Sequence, residues 1–96
     1  EQEGQRQQNE LRSQFEMAQF ELKRSEMLID LYNRQIESSE QARSLLVSAF
    51  STATGNFDEV LRMNQDIIML KTQLFNAIRN GVTAQARMDY LSSKTE

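Results

Sequence analysis

The sequence contains no cysteine, histidine, tryptophan or proline, and only three glycines in 96 residues. Each absence excludes something. Without Cys or His there is no structural zinc site of the usual kind, no thiol nucleophile and no imidazole general base. Zero Cys also removes any disulfide framework, so cysteine usage does not mark an oxidising or a reducing compartment. With no Pro and so little Gly, almost nothing interrupts a long helix. Long apolar runs are missing as well. The longest is four residues, as in Ile67-Ile68-Met69-Leu70, against the roughly 20 that a membrane-spanning helix needs. Residues 1–10 are polar and Gln-rich, unlike a secretory signal. The chain starts without Met and is expected to be an excised piece of a longer protein, with any leader lying outside it.

What is present is charge of both signs. Fourteen Asp and Glu against 11 Lys and Arg leave a net charge of −3, with a pI near 5.0. Residues 1–50 hold six basic and nine acidic side chains, and residues 51–96 five of each. Neither half is a basic patch of the kind that nucleic acid demands, so no nucleic-acid partner is expected. At 11.2 kDa the chain amounts to a single small domain over 1–96.

The one punctuated stretch is Ser51-Thr52-Ala53-Thr54-Gly55-Asn56, small and polar with helical periodicity on both sides. Gly55 suits the left-handed position just past a helix C-terminus. Asn56 followed by Glu59 approximates a capping box for a second helix, and Asp58 with Glu59 puts negative charge on its N-terminal dipole. Stop and start signals back to back predict a helical hairpin: helix over about 7–53, turn about 54–56, helix about 57–92. The fold class is all-α, a long antiparallel helical hairpin resembling a coiled coil.

The first arm carries Leu11, Phe15, Ala18, Leu22, Ile29, Tyr32 and Ile36 at alternating steps of four and three, with Ser25 interrupting the lane. That is a 3.5-residue seam. Met17, Phe20, Met27, Leu28 and Leu31 fall on a neighbouring stripe that a helix with a single partner would not need. The second arm has three seven-residue lanes: Val60, Ile67, Leu74, Gly81, Met88; Leu61, Ile68, Phe75, Val82; and Met63, Leu70, Ala77, Ala84, Leu91. Together they span an arc of about 160° at 100° per residue. Gly81 costs roughly 1 kcal/mol of helix propensity, and close helix approach is its expected benefit. Arcs this wide predict further helices, from other copies or from chain outside this sequence, and self-association.

The turn and its flanks resemble the TolC-like outer membrane factors. The carrying stretch is residues 41–61, QARSLLVSAFSTATGNFDEVL, in which Phe50 stands where that family has an aromatic before a short Gly-containing turn. Val60-Leu61 matches the hydrophobic pair that follows. Leu31-Tyr32-Asn33-Arg34-Gln35-Ile36 is similar to the family's lead-in segment, and residues 84–91 to the run that closes its second repeat. Departures are Glu37 where a Pro often follows, Ala53 where a Gly is common, and Arg62 at a second acidic position. The resemblance covers most of 29–91.

The resemblance implies a three-subunit tunnel, with a β-barrel in the outer membrane continued by an α-helical barrel through the periplasm. The hairpin would be a periplasmic part of the family's second repeat, with its turn at the inner-facing entrance and membrane contact only through other parts of the chain. Thr52, Ala53, Thr54, Gly55 and Asn56 would form a tip that docks a periplasmic adaptor protein, and Asp58, Glu59 and Arg62 would line the entrance. An inner-membrane pump would supply the energy, and no cofactor is implied. Each reading has a simpler counterpart. The turn is also explained as a helix connection with cap chemistry, and the charges as dipole compensation with an Asp58–Arg62 pair. Met17, Met27, Met63, Met69 and Met88 lack the clustering of a copper–thioether site and read as core filling. Tyr32 and Tyr90 read as packing residues with the hydroxyl at a polar rim. Ser without His, and no phosphate loop, point away from an enzyme. The rival readings are a structural coiled coil and the α-hairpin of an adaptor protein.

Overall fold

The structure is a computed structural model that describes the backbone of residues 2–52 and 57–95, and side chains over 4–49 and 57–94. It is all helix: α1 spans Gln2–Thr52 and α2 spans Phe57–Thr95. The fold is the expected antiparallel helical hairpin. The turn foreseen at about 54–56, with Gly55 and Asn56, lies outside the described residues.

Both helices outrun their apolar patterns. α1 starts at Gln2 rather than near residue 7, and α2 ends at Thr95 rather than near 92. The seams stop at Leu11 and Leu91, but no Pro follows to end the backbone hydrogen bonding. Gly4 is helical with nothing within 4 Å of where a Cβ would sit, and Lys94 places positive charge in the last turn of α2.

The chain divides into two compact units. The first joins Glu1–Met27 to Ala77–Glu96. Its core is lined by small residues: Ala18 and Ser25 of α1 and Ala77, Gly81 and Ala84 of α2 are buried, with Leu91 beyond them. Leu11, Phe15, Leu22 and Met88 are half-buried around that line. Gly81 is a point of close approach. A Cβ built there would lie 2.5 Å from Ser25 Oγ and 3.3 Å from Ser25 Cβ. Ser25, which looked like an interruption of the seam, is one of its members. It is 3% exposed, and its hydroxyl donates to the Leu22 carbonyl at 2.8 Å, so the buried polar atom is satisfied within its own helix.

The second unit, Leu28–Asn76, uses larger side chains. Ile36 and Ile67 are buried, and Ile29, Tyr32, Leu46, Val60, Met63, Leu70 and Leu74 are half-buried. On α1 the alternating step continues past Ile36 through Ser39, Arg43 and Leu46, all half-buried. The Arg43 guanidinium donates to Asn64 Oδ1 at 2.9 Å, and Lys71 Nζ lies 3.5 Å from the Glu40 carboxylate. A cation in a seam position fixes register while forgoing apolar burial. Replacing Arg43 with Leu is therefore expected to raise the stability of the hairpin by about 1 kcal/mol, because apolar burial outweighs one hydrogen bond that water can replace at Asn64. Urea unfolding followed by circular dichroism checks this, and a loss of stability would mean that the Arg43–Asn64 bond outweighs apolar packing.

Candidate functional site

Three features were candidates for function: the turn, the charges behind it and the apolar faces. Of the turn residues, Thr52 closes α1, and its side chain lies outside the described residues. Ala53, Thr54, Gly55 and Asn56 lie outside them altogether. Behind the turn, Asp58 and Glu59 occupy the first turn of α2, where negative charge meets the helix dipole. Asp58 and Arg62 are exposed, and Glu59 is half-buried. Arg62 follows Asp58 by one helical turn, but the Asp58–Arg62 pair that this spacing allows is not among the ion pairs of the described residues. Those join Arg34 to Asp30 at 3.1 Å and Lys71 to Glu40.

The apolar faces are resolved side chain by side chain. On α2 the lanes through Val60 and Met63 turn towards α1, whereas the lane Leu61, Ile68, Phe75, Val82 is exposed throughout. Neighbouring residues show the split: Ile67 is 2% exposed and Ile68 64%. Phe57, one turn before that lane, and Ile78, between Phe75 and Val82, are also exposed and extend it towards a second alternating seam, in which Asn64 and Lys71 take the two remaining positions. On α1 the off-seam Met17, Phe20, Met27 and Leu31 are exposed, and Leu45 continues their spacing. A helical wheel puts the exposed seam of α1 roughly 160° from its buried one, and that of α2 roughly 100° from its own.

Both helices are therefore two-faced. Among the described residues, 14 large apolar side chains stay exposed, whereas the buried apolar set is six residues, three of them Ala. The expectation that the methionines fill the core holds for Met63 and Met88, which are half-buried, but not for Met17, Met27 and Met69, which are exposed. Tyr32 is half-buried, as a packing residue should be. Tyr90 is exposed, with Lys94 Nζ 5.1 Å from its ring centroid. That contact is a cation–π pair of modest strength in open solvent.

Beside the first unit's seam lies an open groove of about 730 Å³, floored by Leu11 and Phe15 and edged by Arg12, Glu16 and Lys94. Its charges are mixed and it is not enclosed, so it offers no convergent set of catalytic groups. Among the described residues no group of three or more His, Cys, Asp or Glu could hold a metal ion, and no helix is long and apolar enough to cross a membrane.

Sequence reasoning missed Arg43 and Ser39 as seam members because their polarity hid them. Extending the four-three step past Ile36 would have found both. It also left out Ile78, which lies off the three seven-residue lanes. No family model matches this chain, and no curated protein or solved structure is significantly similar to it.

Proposed function

We propose that this chain is a wall hairpin of a TolC-like outer membrane efflux channel, lying in the periplasm and presenting its turn to a periplasmic adaptor protein. The observation that carries the proposal is the second apolar seam on each helix. A hairpin whose helices satisfied only each other would leave those faces polar. Faces of this kind suit a wall in which every helix touches a neighbour on either side. The residues that resemble the channel family, over most of 29–91, run into and out of the turn.

In this reading the mechanism is passive. Three copies of the full-length protein assemble around a conduit, and an inner-membrane pump supplies the energy. The small residues Thr52 to Asn56 dock through backbone groups, each net hydrogen bond contributing about 1 kcal/mol, so that affinity comes from several copies acting together. Asp58, Glu59 and Arg62 line the entrance, where rings of charge from three subunits bias the passage of charged solutes.

The test is a photo-crosslinking residue at Thr52 or Asp58, introduced into the protein in its native cells. The expected product is a conjugate with a periplasmic adaptor, recognisable by its lipoyl-like β domain next to an α-hairpin. Conjugates with cytoplasmic proteins alone, or no conjugate at either position, would refute the channel reading.

A further inference from the structure

We infer that the exposed seam of α2 is a self-recognition surface, on which a second copy of this chain docks antiparallel about a two-fold axis at Ile68. The inference concerns the chain by itself in solution and stands whether or not the channel reading holds.

Surface area gives the first argument. A compact monomer of 11.2 kDa exposes about 5,700 Å², whereas this chain exposes 7,701 Å². Part of the apolar exposure lies on Leu61, Ile68, Phe75 and Ile78, which are 44–65% exposed and fall on one face of α2 at helical spacing. Pairing over such a length covers about 600 Å² on each copy, at the low end of specific interfaces.

Symmetry gives the second argument. With Ile68 on the axis, an antiparallel partner sets Leu61 opposite the second copy's Phe75, and Phe75 opposite its Leu61. Each layer then joins one aliphatic to one aromatic side chain, and Ile68 meets itself. An antiparallel pair also brings like flanks of the two helices together. The flank beside this seam reads Asp58, Gln65, Thr72, Arg79 at seven-residue steps. In the same register Asp58 falls one residue short of level with Arg79 of the second copy, about 1.5 Å along the axis, and Gln65 stands in the same relation to its Thr72. Opposite charges close both ends of the seam, with neutral hydrogen-bonding groups between them.

The length that overlaps repeats this polarity. With Ile68 on the axis, residues 57–67 lie against 69–79 of the second copy; the first hold Asp58, Glu59 and Asp66 against Arg62, and the second hold Lys71 and Arg79 with no acidic residue. A parallel pair would stack like charge on like, and an antiparallel pair matches opposite ends.

The test uses the whole 96-residue chain. Sedimentation equilibrium over about 1–300 μM is expected to show mass rising from one copy to two, as the size of the interface implies. Ile68→Glu is expected to raise the dissociation constant at least about tenfold without lowering helicity, because the side chain is exposed in the single copy. Register is read from introduced thiols in a chain that has none of its own. Ile68→Cys should cross-link to itself, and a mixture of Leu61→Cys and Phe75→Cys should give the mixed product. A monomer at every concentration, homotypic 61–61 and 75–75 products, or association that Ile68→Glu leaves unchanged would each overturn the inference.

Discussion

Replacing Gly81 with Leu is expected to lower the stability of the hairpin by about 3 kcal/mol, the upper end of what overpacking a buried site costs. The close approach in the first unit sets Gly81 against Ser25, whose short side chain has little room to move aside, with Leu22 Cδ1 bordering the same point at 4.0 Å. Ala at position 81 is the sharper experiment, because two effects oppose each other. Removing Gly from a helix interior gains about 1 kcal/mol. Against that, the new Cβ would fall 2.5 Å from Ser25 Oγ, forcing the hydroxyl away from the Leu22 carbonyl that it meets at 2.8 Å. At 3% exposure a displaced hydroxyl has little access to water, and an unmet buried donor costs about 1–3 kcal/mol. The contact with Ser25 Cβ, at 3.3 Å, adds strain that only a backbone shift relieves.

Gly81→Ala is therefore expected to destabilise by about 1 kcal/mol in the wild-type background and to stabilise when Ser25 is Gly. Urea unfolding of the four chains, at concentrations low enough to keep single copies, gives the coupling, expected near 2 kcal/mol. A Gly81→Ala variant as stable as wild type would show that the two helices are further apart at this level than the geometry has them.

How much of this could be read from the sequence differs from residue to residue. The α1 seam from Leu11 to Ile36 was legible because apolar residues at alternating steps have one structural meaning. Gly81 was legible because a mid-helix Gly in a lane of apolar residues asks for a reason, and close approach is the common one. Ser25 was misread as a gap, since its role depends on what stands opposite it, and no pattern within a single helix reports that. For the same reason the three lanes of α2 could not be sorted. Ile67 and Ile68 are the same residue type one position apart, and only the placement of α1 sends one inward and the other outward. Past Ile36 the seam went unseen because Ser39 and Arg43 are polar, although the period alone reaches them. The helix ends extended beyond the pattern because burial sets the pattern, whereas a helix continues until something stops it. The turn, from which the docking reading starts, rests on cap chemistry and family resemblance rather than on geometry.

The largest loss from a simple truncation is expected at Ile67. It is the largest fully buried side chain among the described residues, at 2% exposure, and Ile→Ala at such a site costs 2–5 kcal/mol depending on how far the cavity collapses. A two-helix structure collapses more readily than a deep core, which places the expected cost near 3 kcal/mol. Ile68→Ala removes the same atoms from the next position along the helix. There the side chain is 64% exposed, so the stability of a single copy should change by less than about 0.5 kcal/mol, the better helix propensity of Ala offsetting part of the lost contact. The two variants separate folding from association. Ile67→Ala should lower the unfolding midpoint in dilute solution. Ile68→Ala should leave that midpoint in place while removing the rise in stability that a self-associating chain shows as its concentration increases. If both variants unfold alike in dilute solution, α2 is not held with one isoleucine inside and its neighbour outside, and the division into a hairpin seam and an outward seam falls with it.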